Sequence, residues 1–321
     1  MKSLRYLLCL AALLGVSYSG AQGIFSIEEQ FRSVQSTGLG GVSNVNGANA
    51  FSVYENSSSA ALSEKKFELG LQYSPWAKNL TKGMDRDNLM MNAAGYYSIN
   101  DNNKILAGFS YYAPGGNKMY MVDENGNILG DEIRTKYFSF NIGYAYRINN
   151  NLGVSAGVSY ANWNDGFNGN SNMVAFDLGV TDRIMFKSGN RFIDIAFRMN
   201  GWGITTGLEG YKTPGFVSIG GMYNSRLAEK HLVRVGSMLE YRCLDETGFR
   251  ASFGGEYGFN DILFLRAGYN FVNDYNKQNG FTSLGVGTRI LDKVQIDFAY
   301  LMANKESQLK NTYMIGASIL F

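Results

Sequence analysis

NTYMIGASILF, Asn311 to Phe321, alternates along its whole length. Tyr313, Ile315, Ala317, Ile319 and Phe321 fall on one side, and Met314, Gly316, Ser318 and Leu320 on the other. A period of two marks a β-strand, whose successive side chains point to opposite faces. In a barrel with an even number of strands both chain ends come to one rim and the last strand pairs with the first, so a barrel accounts for a chain that stops on such a strand.

Working backwards from that strand, the same alternation recurs as far as Phe67. FELGLQY (Phe67 to Tyr73), KILAGFSYY (Lys104 to Tyr112), LGVSAGVSY (Leu152 to Tyr160) and VQIDFAYLM (Val294 to Met302) are examples, and roughly fourteen such runs are present. They are separated by Asn, Asp, Gly and Lys, the residues that punctuate hairpins. Each run is about nine to eleven residues long, the length of a tilted strand that crosses a bilayer.

A soluble sandwich also alternates, so the connections decide between the two. Short joins such as Ile99–Asn103, Lys187–Asn190 and Leu291–Lys293, of which Ser225–Lys230 is the longest, alternate with long ones such as Ser74–Asp87, Ala113–Lys136 and Asn200–Thr213. Short turns on one rim and long loops on the other are the pattern of an outer-membrane β-barrel, and a sandwich has no reason to sort them.

Composition agrees. The chain has 39 Gly, 21 Tyr and 21 Phe against 3 Pro, which suits an all-β protein rich in aromatics. Its formal net charge of +2 gives no reason to expect a nucleic-acid partner. Past the N-terminus no apolar run is long enough for a membrane-spanning helix. Residues 1–21 read as an export signal: Lys2 and Arg5 precede the apolar core Leu7–Val16, and Ser19-Gly20-Ala21 supplies the cleavage site. With Cys9 in that peptide, Cys243 is left alone and forms no internal disulfide.

If the apolar parity faces lipid, the other parity lines a lumen. Arg234, Glu240, Arg250, Glu256 and Arg266 fall on it in three consecutive strands, and Arg147, Asp177, Asp194, Arg198 and Asp297 on it in others. Because neighbouring strands carry both signs, these charges read first as an ion-pair ladder that fills the lumen; a charged pathway for a solute is the alternative.

Residues 22–64 precede the barrel, assigned to 65–321, and do not alternate. They read as a plug in the lumen or at its periplasmic mouth, with a flexible leader as the alternative. Ser26–Ser36 suggests a short helix capped by Ser26, and Ser57–Leu62 another helical turn.

No enzyme site, metal site or cofactor emerges. His231 reads as a solvated turn residue, and the Gly38–Gly41 stretch lacks a phosphate loop's context and reads as a hinge. Asp123, Asn125 and Asn127 do not make a calcium loop, since Ile128 and Arg134 stand where Gly and Glu are needed; Asn125-Gly126 instead signals a hairpin, giving this loop a two-stranded arm. Trp76, Trp163 and Trp202 lie in or beside long loops, where an interfacial aromatic belt is the ordinary reading and a protein-docking rim, with Tyr120 of the arm, the sharper one.

LQYSPWAKNL (Leu71 to Leu80), NAAGYYSINDNNKILAGFSYY (Asn92 to Tyr112) and VDENGNILGDE (Val122 to Glu132) resemble the PorV family, outer-membrane proteins of the type IX secretion system of Bacteroidota. TGLGGVSNVNGANAFSVYENSSSAAL (Thr37 to Leu62) resembles the N-terminal plug of the same PorV/PorQ group, although Asn56-Ser57-Ser58 stands where that group has Asn-Pro-Ala. The group is similar to long-chain fatty-acid transporters of the FadL type, and the terminal Phe321 resembles the signature read by the outer-membrane assembly machinery. The resemblance implies a fourteen-strand barrel that binds the C-terminal sorting domains of secreted cargo, with other secretion components and outer-membrane lipid as partners. A FadL-like channel for hydrophobic small molecules is the alternative expectation.

Overall fold

The computed structural model describes residues 33–321 except 118–119, 121–122, 124–126, 131, 165, 167–168, 188, 208–211, 245–247, 274–279 and 306, and excepting the side chain of Leu80. The export signal at 1–21, the proposed Ser26 cap and the Asn125-Gly126 turn therefore lie outside the described residues.

Fourteen antiparallel strands close into one barrel in sequence order. They are β1 (Phe67–Ser74), β2 (Leu89–Ser98), β3 (Asn103–Ala113), β4 (Lys136–Arg147), β5 (Leu152–Asn164), β6 (Asn170–Met185) and β7 (Arg191–Thr206). The second half holds β8 (Phe216–Leu227), β9 (His231–Arg242), β10 (Gly248–Phe259), β11 (Leu263–Asn273), β12 (Phe281–Ile290), β13 (Val294–Met302) and β14 (Tyr313–Leu320). Closure is made by β1 on β14, from Glu68 opposite Leu320 to Tyr73 opposite Ile315. Phe67 and Phe321 exchange backbone hydrogen bonds of 2.9 Å in both directions, so the last residue completes the seam.

The alternation sets the two faces. In β1, Glu68, Gly70, Gln72 and Ser74 are buried while Leu69 and Leu71 are exposed, and Ile142, Phe176 and Val235 project outward from other strands in the same way. An apolar exterior with a polar or small interior is what a bilayer selects, because lipid solvates apolar side chains and not polar ones.

The short rim is tighter than the sequence suggests. β8 runs on to Leu227, so the join expected over Ser225–Lys230 is only Ala228–Lys230. Its first two residues have positive φ (47° and 60°), as do Asn260-Asp261 and Leu291-Asp292, the twist that a tight hairpin needs. The left-handed conformation costs a residue such as Leu291 more than it costs Asn or Asp, yet the join falls at Leu291–Lys293 as the sequence predicts.

Inside the barrel lie α1 (Val34–Gly38), α2 (Ser52–Glu55) and α3 (Ser57–Ala61) with their connections. Ser33 caps α1 by accepting from the Ser36 N–H at 3.1 Å, and Asn56 caps α3 from the Ser58 N–H at 3.2 Å. The turn at Ser57 was legible; α2, which has no side-chain cap, was not. α1 packs on β11 to β14 and α3 on β3 to β6, so the segment crosses the lumen. The Gly38–Gly41 stretch is a close contact and not a hinge. Gly40 has φ +68°, and a Cβ there would stand 2.3 Å from the Tyr269 backbone nitrogen. Gly254 and Gly268 on the wall face Leu39 and Gly40 just as closely, so backbone meets backbone where no side chain fits.

Candidate functional site in the barrel lumen

Cross-strand register assembles the charged half of the lumen. Glu256 lies directly opposite Arg266 on one neighbour and Arg234 on the other, and Arg250 opposite Glu240. The pairs form: Arg234–Glu256 at 3.1 Å, Glu256–Arg266 at 2.5 Å, Arg266–Asp297 at 2.6 Å and Arg250–Glu240 at 2.6 Å. Arg183 holds Asp194 at 2.8 Å, and Arg198 lies 3.5 Å from Asp177. Asp177 also accepts from the Gly201 N–H at 3.0 Å, where the β6–β7 register slips at a bulge. Both charges of a pair are satisfied inside a shared wall, so the arrangement is a ladder of ion pairs.

That ladder also holds the inner segment. Arg147 donates to the carbonyls of Ala61 (2.7 Å) and Ser63 (2.9 Å), and Lys104 to those of Ser63 and Lys65. Arg198 donates to the Tyr54 carbonyl and Arg234 to that of Asn46, while Gln35 donates to Asp297 at 3.1 Å. Within the segment, buried Glu55 accepts from the Ser33 N–H (2.8 Å), the Asn49 amide (3.0 Å) and the Ser36 hydroxyl. Sequence reading missed Glu55, Lys104, Glu68 and Arg183. The three wall residues could have been found by their inward parity, but Glu55 sits on a helix too short to show a period. Between this segment and the short-turn rim lies a cavity of ≈ 420 Å³ lined by Arg183, Asp194, Arg226, Asp261 and Arg289 among others.

Toward the long-loop rim the lumen changes character. Inward-facing Met90, Tyr112, Tyr137, Met173, Phe281, Leu301 and Met314 from seven strands gather with Trp76, Leu309 and the Val34 side chain into one apolar cluster. Each stands near the upper end of its strand, so the cluster lines the long-loop end of the lumen from β12 round through β1 to β6, while at the same end β9 and β10 carry the Arg250–Glu240 pair. Its polar members are neutral and incompletely satisfied. Both amide atoms of Asn92, the Ser110 and Ser171 hydroxyls and the indole N–H groups of Trp76 and Trp163 are buried without a hydrogen-bond partner among the described residues. An unpaired buried polar group costs free energy, so natural structures retain few of them without a reason.

Trp76 and Trp163 thus point into the barrel, Trp163 with its ring 6.3 Å from that of Tyr137; neither belongs to an interfacial belt, because the inward parity of their surroundings outweighs their place beside loops. Trp202 is half-buried at the β6–β7 bulge, where its indole donates to the Phe216 carbonyl at 3.0 Å. Tyr120 is exposed in the arm. His231 opens β9 instead of sitting in a turn, with Nδ1 2.7 Å from the Tyr257 hydroxyl and its ring 5.4 Å from Phe259.

The arm is held at its base. Glu132 lies between Arg86, 2.6 Å from one guanidinium nitrogen, and Arg134 at 3.1 Å. These bonds, that to Arg86 first, hold its carboxyl down to about 2. The Asp123 N–H donates to the Asn127 carbonyl at 2.9 Å.

No family model matches the sequence, and no curated protein matches it. The fold does have counterparts. The Pseudomonas putida toluene transporter TodX matches with a TM-score of 0.59 at 13% identity over 90% of this chain and 97% of its own. The Ralstonia pickettii toluene transporter TbuX matches at 0.57 and 14% identity, over 92% and 98%. A Pseudomonas aeruginosa FadL homologue matches at 0.52 and 11% identity, over 90% and 98%. The chain is therefore an outer-membrane β-barrel with the fourteen-strand fold of FadL-type channels. The relatives by fold are channels, TodX and TbuX being toluene transporters.

Proposed function

We propose that this protein is an outer-membrane channel for hydrophobic small molecules, with the segment up to residue 64 as its plug. The observation that carries the proposal is the apolar cluster formed by Trp76, Met90, Tyr112, Tyr137, Phe281 and Met314 on one side of the upper lumen. A water-filled pore has a polar interior; this one is filled here by aromatic and thioether side chains, each at most 8% exposed, which an apolar solute would displace and which adapt to its shape. The toluene channels that share the fold support the same reading. The plug is joined to the wall by hydrogen bonds, interactions that can be exchanged one at a time.

The test is uptake of labelled toluene and labelled oleate into cells lacking their own channels. Met90→Asp, which places a charge in the cluster, is expected to lower the initial rate at least about tenfold with the barrel still folded and heat-modifiable. Unchanged uptake in that variant would sink the proposal.

A second reading rests on the arm. Tyr120, Ile128 and Leu129 are exposed there, at 39%, 60% and 54%, more apolar surface than a loop in water needs. It suits a PorV-like role in which secreted cargo of the type IX pathway docks on the arm. Deleting residues 117–130 would then abolish co-purification of proteins sharing a C-terminal β-domain, and an undiminished yield of them would exclude this docking site.

A further inference from the structure

A cavity of ≈ 820 Å³ opens beside the long-loop rim, between the end of β3 and the residues leading into β4. Its wall residues are Leu89, Tyr111, Ala113 and Lys136. Their inward-facing neighbours Met90, Tyr112 and Tyr137 belong instead to the lumen cluster, so the cavity lies on the lipid side of the barrel wall. The barrel's long loops mark this rim as the cell exterior, which puts the cavity at the level of the outer-leaflet headgroups.

Two features define its chemistry. The cavity's upper edge carries Arg86, Arg134 and Lys136 against Asp87 and Glu132. Asp87 is shared with Lys78 at 3.9 Å, and Glu132 is only 11% exposed, enclosed by Arg86 and Arg134. The cations facing outward are Arg134, 56% exposed, and exposed Lys136, against Asp87, 50% exposed and shared with Lys78, so the exposed edge carries an excess of positive charge. Below the edge the wall is aromatic: Phe109 and Phe140 pack at 5.0 Å between ring centroids, Phe138 and Phe140 at 5.8 Å, and Phe138 and Tyr160 at 6.2 Å, all on outward-facing positions.

We infer that this cleft is a binding site for a phosphorylated glycolipid of the outer leaflet, with Arg134 and Lys136 on its phosphate and the Phe109–Phe138–Phe140–Tyr160 wall along its acyl chains. A cation edge directly above an apolar wall matches a molecule that is anionic at one end and hydrocarbon at the other. Arg134 Nε and one terminal nitrogen already bond Glu132, which leaves its remaining terminal N–H groups and the Lys136 point charge for a phosphate. The Arg86–Glu132 pair does not contact the lipid; it sets the position of Arg134. The inference does not depend on what the lumen carries.

The test uses the full-length barrel, delipidated in a neutral detergent, with native mass spectrometry and three probes: bisphosphorylated lipid A, its dephosphorylated counterpart and inorganic phosphate. One bisphosphorylated lipid A is expected to remain bound, with affinity falling about tenfold or more in the double variant Arg134→Gln/Lys136→Gln. Phe140→Ser is expected to weaken the same lipid without creating a phosphate requirement elsewhere. Equal binding of the dephosphorylated lipid, saturation by inorganic phosphate alone, or affinity unchanged in the double variant would each overturn the inference. Heat-modifiability and solute uptake, measured on the same variants, report folding and transport separately.

Discussion

Arg266 is the residue on which the ion-pair ladder turns. Its side chain is 2% exposed and joins two carboxylates, Glu256 on the adjacent β10 at 2.5 Å and Asp297 two strands away on β13 at 2.6 Å. Removing it leaves two buried anions facing one gap, and breaking a buried pair from one side costs more than the pair itself contributes. Arg266→Met is expected to destabilise the barrel by about 3 kcal/mol, within the range for such one-sided removals, measured by urea unfolding in lipid vesicles followed through tryptophan fluorescence. A loss under ~1 kcal/mol would mean that Gln35, Gln295 and Arg234, which also reach these carboxylates, already satisfy them.

At the scale of elements, the arm is fastened by the Arg86–Glu132–Arg134 contact. Its carboxyl ionises at about 2 in the folded loop against an ordinary 4.5. A depressed carboxylate contributes fully above its ordinary value and is lost as pH falls through the folded one. Spin labels at Lys82→Cys and Asn117→Cys, in a Cys243→Ser background, should keep a narrow distance distribution from pH 7 to about 4.5. It should broaden only toward pH 2. Glu132→Gln should broaden it at pH 7; a wild-type transition centred near 4.5 would show that the contact does not form.

Strands and helices also differ in how far the sequence exposes them. Parity identified every lumen-facing member of the Arg234–Glu256–Arg266 ladder, because in a strand one residue type per face is enough to define the period. Parity also gave the closed sheet with its two faces. It failed at strand ends: β8 continues through Ser225, Arg226 and Leu227, where a polar and a charged residue read as a loop until the hairpin geometry is known. It failed for Trp76, whose inward turn follows from the loop after β1 and not from any repeat. The inner segment has no period at all. Its order comes from contacts with residues more than a hundred positions away, such as Asn56 with Thr181 and Gly40 with Ser283, which local sequence does not encode.

The whole molecule is a barrel whose long-loop end carries the aromatic and thioether cluster on one side, from β12 through β1 to β6, and the Arg250–Glu240 pair on the other, with the remaining ion pairs and the hydrogen-bonded segment below. Such a division suits a solute that enters from the outer face, binds by burial, and passes once the segment below it shifts. The most direct test is photolabelling in native outer membranes with an apolar diazirine probe of toluene size, mapped by peptide mass spectrometry. The account predicts labels on Trp76, Met90, Tyr112, Tyr137 and Met314, competed away by unlabelled toluene. Labels confined to lipid-facing residues such as Leu71, Ile142 and Phe176, with none in the lumen, would contradict it.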